Sequence, residues 1–309
     1  MLQSAARHGR PEPKRSTHAD RDHQPERPPF FLRRWGDPAL PVLLLLHGFP
    51  EYGGAWAEFA PLLADRYHVI APDQRGYGRS WAPEGVENYR GSALTGDMAA
   101  LIEGLGRGKV VVLGHDWGAA VAYGLAMFRP DLVARLVIAN GVHPAPFQKA
   151  LIEDPAQREA SQYIRFLRRT DSQDILAEDD FDRMFRFFSS KMNLGWMTPE
   201  RLAEHKAEWA RDGRLGTMIH WYRASPLVVP AMGEDPGPLP ALPREKLMVR
   251  MPHLLLWGAD DKALLPVATE GLEDFAPDLT RITLQGCDHW LFHQKPEEAA
   301  AAVRDWLAR

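Results

Sequence analysis

Apolar positions come in short blocks along this chain, and the blocks alternate with stretches of helical spacing. Seven blocks read as strands: Phe30-Phe31-Leu32-Arg33, Val42 to Leu46, His68-Val69-Ile70, Val110 to Leu113, Leu136-Val137-Ile138, Leu254-Leu255-Leu256 and Arg281-Ile282-Thr283-Leu284. Most are apolar at every position, the pattern of strands covered by helices on both faces of a parallel sheet. Between them, Leu94, Met98, Leu101, Ile102 and Leu105 fall at i, i+4, i+7, i+8 and i+11, which predicts a helix with Ser92 as its cap. Ala119 to Phe128 reads as a second helix, shortly after the strand Val110 to Leu113. This alternation predicts the α/β class with a mostly parallel, doubly wound sheet.

The rhythm breaks between residues 144 and 250. Phe181, Met184, Phe185 and Phe188 share one helical face, and Thr198-Pro199 is expected to open a helix that runs through Trp209 and closes at Gly213. No strand pattern interrupts this stretch, whose apolar content is heavy in rings: Phe166, Phe181, Phe185, Phe187, Phe188, Trp196, Trp209 and Trp221. The expected organisation is a core domain of residues 30–143 and 251–309 with an inserted all-helical cap domain, 144–250, returning through the Pro- and Gly-rich stretch Pro230 to Pro243. Residues 1–29 are rich in Arg, Pro and His. They lack the apolar surface to offset their ordering entropy and are expected to form a mobile N-terminal segment.

Composition narrows the function. The chain has 309 residues, 45% of them apolar, which suits one large domain or a domain with an insertion. A net charge of -4 argues against a nucleic-acid partner. No apolar run approaches the ~18–20 residues that a membrane span needs, and the N-terminus has no secretory apolar core. Glu12, Asp20, Asp22 and Glu26 count against a transit peptide. The single Cys287 cannot form an internal disulfide, which fits a reducing compartment, and a cytoplasmic location is expected. No Cys/His cluster suggests a metal, and Gly104-Leu105-Gly106-Arg107-Gly108 precedes a strand instead of following one, so it reads as a turn and not a phosphate cradle. No cofactor is expected.

The most informative residues are Gly114-His115-Asp116-Trp117-Gly118, a tight turn between strand and helix flanked by small residues. Such a turn is the nucleophile elbow of the α/β-hydrolase fold, where serine is usual and Asp116 stands here. A carboxylate there attacks carbon and forms an alkyl-enzyme ester, which moves the candidate substrates from acyl compounds to strained or halogenated alkyl carbons. The same aspartate could instead cap the helix that follows. His47-Gly48-Phe49-Pro50, after the strand Val42 to Leu46, offers either plain turn chemistry or half of an oxyanion hole, with the amides of Phe49 and Trp117 as its donors. Asp261 follows a late strand and suits the carboxylate that orients a histidine, with Asp260 as its neighbour and rival. Asn140, after another strand, is no carboxylate, so the acid position there reads as unused. His289 has the right order behind nucleophile and acid, and His293 is its competitor. Tyr163 and Tyr222 are the two tyrosines of the insertion; they read as packing residues or as donors to an oxygen on which charge builds.

With these pieces in order, the chain resembles the epoxide hydrolase family of the α/β-hydrolase superfamily, from roughly Phe31 to the C-terminus. The resemblance rests on His47 to Glu51, Asp73-Gln74-Arg75-Gly76-Tyr77-Gly78-Arg79-Ser80, Gly114 to Gly118, Trp221-Tyr222-Arg223, Trp257-Gly258-Ala259-Asp260-Asp261, and Gly286 to Trp290 followed by Lys295-Pro296-Glu297-Glu298. It implies Asp116 as nucleophile, His289 as the base that activates water, Asp261 as its partner, and Tyr163 and Tyr222 as the ring-opening pair. Phe49, Trp117 and Trp221 would line the substrate. The implied partners are an apolar epoxide and water, with monomer and homodimer both open. In one departure, the longer strand pair that usually precedes Trp35-Gly36-Asp37 is reduced to Phe30 to Arg34. A haloalkane dehalogenase shares the aspartate elbow, but that branch usually carries Asn where Phe49 stands and needs no tyrosine pair. Fluoroacetate dehalogenation would call for arginine where Trp117 and Ala120 stand. A non-catalytic receptor on the same fold need not keep Asp116, Asp261 and His289 together, and a serine esterase is excluded by the elbow itself.

Overall fold

A computed structural model describes residues 30–309; the expected mobile segment 1–29 lies outside the described residues. Each of the seven apolar blocks overlaps a strand, the first shifted so that Phe30 and Phe31 lie outside it: β1 (Leu32–Trp35), β2 (Val42–Leu46), β3 (His68–Pro72), β4 (Val110–His115), β5 (Val133–Ala139), β6 (His253–Gly258) and β7 (Leu279–Leu284). They make one sheet in the order β1-β3-β2-β4-β5-β6-β7. All neighbours are parallel except β1, which pairs antiparallel with β3, Leu32 opposite Pro72. The short segment before Trp35-Gly36 therefore closes one edge of the sheet with a single strand.

Because side chains alternate across a strand, the continuous apolar blocks feed two cores. Leu44, Leu46, Val112, Leu136, Ile138 and Leu255 face one, and Leu43, Leu45, Leu113, Val137, Leu254 and Leu256 the other. Helices α1 (Gly91–Leu105) and α2 (Trp117–Phe128) supply Leu94, Met98, Ile102, Val121 and Leu125 to the first. Six more helices lie between β5 and β6: α3 (Pro144–Glu153), α4 (Pro155–Ala160), α5 (Gln162–Leu167), α6 (Ser172–Ser189), α7 (Pro199–Trp209) and α8 (Arg214–Ala224). The short α9 (Leu291–Gln294) and α10 (Pro296–Leu307) complete the second core through Phe292, Val303 and Trp306. Burying each such side chain contributes on the order of 1.5–3 kcal/mol.

Three local expectations change. Ser92 does not cap α1: the helix starts at Gly91, extended Arg90 holds the cap position, and the Arg90 carbonyl accepts the amides of Ala93 and Leu94. Gly213 does not close α7, which ends at Trp209; with φ of 67° it sits immediately ahead of α8 and turns the chain into that helix. The face Phe181-Met184-Phe185-Phe188 is not on one continuous helix, because α6 is broken at Glu178 to Phe181, with Asp179, Asp180 and Phe181 at φ of 54°, 53° and 64°. Left-handed backbone costs L-residues roughly 1–2 kcal/mol each, so surrounding contacts must hold the break. Lys206 on α7 supplies two of them, to Asp180 (3.2 Å) and Asp182 (2.8 Å).

The approach of α2 to β2 depends on Gly118, where a Cβ would lie 2.0 Å from the Leu46 carbonyl oxygen. Gly118→Ala is expected to push α2 off the sheet and cost about 1–3 kcal/mol or more, read as a fall in the urea midpoint with an unchanged m-value.

Candidate active site

Parallel strands end on the same side of the sheet, and five of these ends supply the site. The loop after β2 carries Phe49, the end of β4 leads to Asp116, and Asn140, Asp261 and His289 follow β5, β6 and β7. The turn at Asp116 is sharp. Its φ of 51° and ψ of −121° are unusual for a residue with a side chain, and such backbone persists only where packing imposes it. Although Asp116 precedes α2 in the cap position, its side chain makes no cap hydrogen bond. It points instead to the loop after β2, where the Phe49 N–H donates to Oδ1 (2.8 Å). Gly48 permits this approach, since a Cβ there would meet the Asp116 side chain at 2.3 Å. The Phe49–Pro50 peptide is cis. His47 steadies the loop: its Nε2 accepts the Gln74 amide (3.1 Å), and the Gln74 side chain donates to its carbonyl (2.6 Å).

His289 stands between two carboxylates. Its Nδ1 lies 2.8 Å from Asp261 Oδ2 and its Nε2 3.4 Å from Asp116 Oδ2. Side-chain exposure rises along that line, from 0% at Asp261 through 4% at His289 to 14% at Asp116, so the aspartate of the elbow is the member that meets solvent. Asp261 is fully satisfied. The amides of Ala263 and Leu264 donate to Oδ1, and the Asn140 side chain donates to Oδ2 (2.7 Å). Asp260 is exposed and engages Cys287 only through its backbone amide, so it does not reach His289. Asn140 is the residue sequence reasoning missed: its Oδ1 accepts the Gly258 amide (2.7 Å) while its amide group holds Asp261. Its place at a strand's end is the signal that marks it, although the chemistry expected at that position is a carboxylate.

Electrostatics follow this geometry. Burial pushes His289 toward neutrality, yet the Asp261 charge and the contacts with Asp116 and Asp261 prevail, holding its pKa well above the ordinary value of 6.5. Burial likewise opposes the charge on Asp261, and the facing His289 with the Leu264 and Asn140 donors keeps its carboxyl below the usual range. Tyr222 is buried on α8 and Tyr163 half-buried on α5, ring centroids 6.1 Å apart. The Tyr222 ring meets Phe49 at 5.1 Å and Trp117 at 5.0 Å, each nearly edge-on. Burial first, and then the Asp116 charge, raise both phenols above their ordinary value, so both keep their protons.

Trp117 opens α2, where its amide belongs to the first turn that has no intrahelical acceptor. Trp221 lies deeper, 1% exposed, with its indole N–H donated to the Arg75 carbonyl (3.0 Å) and its ring 5.9 Å from that of Trp117. The motif from Asp73 to Ser80 is itself tightly held: Arg75 makes two 2.6 Å bonds to Asp97, and Asp73 accepts the Gly53 and Arg79 amides. His293 is paired elsewhere, its Nε2 2.5 Å from Glu51 Oε1. Glu51 is itself buried; burial would raise its pKa, but the His293 charge and bond, with His115 and His205 nearby, bring it down to about 2. Among the described residues no group of three or more His, Cys, Asp or Glu side chains is placed to hold a metal ion, and no helix is long and apolar enough to cross a membrane.

A parallel sheet with an aspartate elbow and a histidine after its last strand defines an α/β hydrolase, and the model of that fold family matches residues 41–296. An α/β-hydrolase superfamily protein of Bacillus subtilis, YfhM, is 32% identical over 86% of this chain and 90% of its own length. Epoxide hydrolase 4 of Mus musculus is 30% identical over 85% of this chain and 71% of its own. Among solved structures, an epoxide hydrolase from metagenomes of hot environments superposes with a TM-score of 0.82 at 36% identity, covering 90% of this chain and 94% of that one. The chain belongs to the epoxide hydrolase family of the α/β-hydrolase superfamily.

Removing one of the two carboxylates should release His289. In Asp116→Asn the imidazole is expected to titrate lower than in the wild type by about one unit or more, toward the ordinary histidine value, in nitrogen-15 NMR spectra.

Proposed function

We propose that this protein hydrolyses an apolar epoxide to a vicinal diol through an ester on Asp116. The observation that carries the reading is the arrangement around that carboxylate, with Oδ1 held by the Phe49 amide, Oδ2 facing His289, and two protonated phenols within the influence of its charge. Family membership supplies the substrate class. The rings around Tyr222 make the surroundings apolar, which suits an aryl or alkyl epoxide. In this reading residues 144–250 act as the cap that closes over the substrate, and no metal or cofactor takes part.

In the first half-step Asp116 Oδ2 attacks an epoxide carbon and that carbon–oxygen bond breaks. The leaving oxygen takes a proton from the Tyr163–Tyr222 pair, whose raised pKa values keep that proton available until charge develops. The ester that forms carries no charge. One of the two groups that hold the His289 proton is thereby lost, and the imidazole can release it to the phenolate that ring opening leaves. In the second half-step His289 Nε2, steadied by Asp261, takes a proton from water as the water attacks the ester carbonyl. Oδ1 becomes the oxyanion and already sits on the Phe49 N–H, with Trp117 N–H as the second donor. The carbonyl reforms as the Cγ–Oδ2 bond breaks, the proton left on the incoming oxygen passes to Oδ2 as the diol departs, and the proton that His289 took from water replaces the one it gave to the phenolate. Water oxygen thus remains in Asp116.

Two substitutions separate the half-steps. Asp116→Asn is expected to lower steady turnover of an aryl epoxide by roughly 10⁴-fold or more. His289→Gln should still be alkylated, and intact-protein mass spectrometry should show a gain equal to one substrate. Absence of that adduct in the His289 variant would overturn the two-step scheme.

A further inference from the structure

We propose that the loop joining α6 to α7, residues 190–198, is clasped to the turn bearing His289, and that the clasp positions this histidine for hydrolysis of the ester. The inference rests on the two-step reading above. Asp288, adjacent to His289 in the chain, is buried, and its carboxylate accepts three N–H groups: Trp290 (3.0 Å), Gln294 Nε2 (2.8 Å) and the Asn193 backbone amide (2.6 Å). Two of these are local and the third comes from the inserted helices. Gln294 completes a ring, receiving the Asp288 amide (2.8 Å) and donating to the Asn193 carbonyl (2.9 Å). Both backbone groups of Asn193 are therefore held by residues that flank His289.

A second attachment lies three residues along the same loop. The Trp196 indole stacks face to face on the His293 imidazole, centroids 3.7 Å apart and planes 5° from parallel, while His293 Nε2 is fixed by Glu51. Other polar bridges from the inserted helices reach different places, among them Trp209 Nε1 to the Pro50 carbonyl, Trp221 Nε1 to that of Arg75, Arg214 Nε to that of Gly78, and Gln157 Nε2 to that of Ala263. The His289 ring faces an acceptor on either side, Asp261 at 2.8 Å and Asp116 at 3.4 Å, so its height above the ester is set by the turn that carries it. The clasp ties that turn to the inserted segment through Asn193 and Trp196. Asn193, Trp196, Asp288, His293 and Gln294 are thus positioning residues. Alkylation uses Asp116 and the phenols and does not require His289 to be aimed, whereas hydrolysis does.

The test is single-turnover stopped-flow kinetics on an aryl epoxide, with alkylation and hydrolysis resolved separately, for Trp196→Ala, Trp196→Phe and Gln294→Met, beside a thermal melt of each. Misplacing a catalytic group by ~1 Å costs up to about 10²-fold, so Trp196→Ala and Gln294→Met should each hydrolyse the ester about tenfold or more slowly. Alkylation should stay within about twofold of wild type and the adduct should accumulate, while Trp196→Phe, which keeps a ring on His293, should restore hydrolysis. Unchanged hydrolysis, or an equal loss in both steps, would overturn the clasp. If Trp196→Ala does not fold, Gln294→Met, at a half-buried side chain, carries the same comparison alone. A wild-type enzyme that forms no adduct would instead defeat the two-step reading itself.

Discussion

The charge on His289 is shared between Asp261, 2.8 Å from Nδ1, and Asp116, 3.4 Å from Nε2, in surroundings that hold little solvent. Removing an imidazolium and two carboxylates from water is costly, and the cost is tolerable only where every other lone pair is met. Asn140, Ala263 and Leu264 do this for Asp261, and the Phe49 amide does it for one oxygen of Asp116. The left-handed turn at the elbow and the missing Cβ of Gly48 are the backbone side of the same arrangement. They bring a carboxylate within bonding distance of an amide in the loop after a different strand.

The sheet was legible because its inner strands are buried on both faces. A strand such as Val42–Leu46 can be apolar throughout only where helices cover it twice, so the blocks themselves marked the inner strands, while the edge strands β1 and β7 are partly exposed. The order of Asp116, Asp261 and His289 along the chain was also legible, since parallel strands deliver their ends to one edge of the sheet. Less could be read where a role depends on a partner distant in sequence. Asn140 was set aside as no carboxylate, yet its amide group spans Gly258 and Asp261. Nothing local to Asp288 in the sequence points to its bond with Asn193, 95 residues away.

Capping went wrong for a related reason. Ser92 and Gly213 have the right chemistry for helix ends, and both lie within a few residues of one. The carbonyl of Arg90 already meets the first amides of α1, however, and Gly213 provides a left-handed turn that the following helix needs. Local preference located the boundary, and the path of the chain chose the residue.

The break in α6 divides its residues into two rods. The first, from Ser172, packs under α8, where Gln173 lies against Gly216. The second carries Phe185, Phe187 and Phe188, with Phe188 5.7 Å from Phe49 beside the elbow aspartate. Half a helix can therefore be re-aimed or re-clothed while the other half keeps the insertion seated. Under the proposed function, the shape of the molecule accepted would then vary with a handful of ring positions, apart from the groups held on the strand ends.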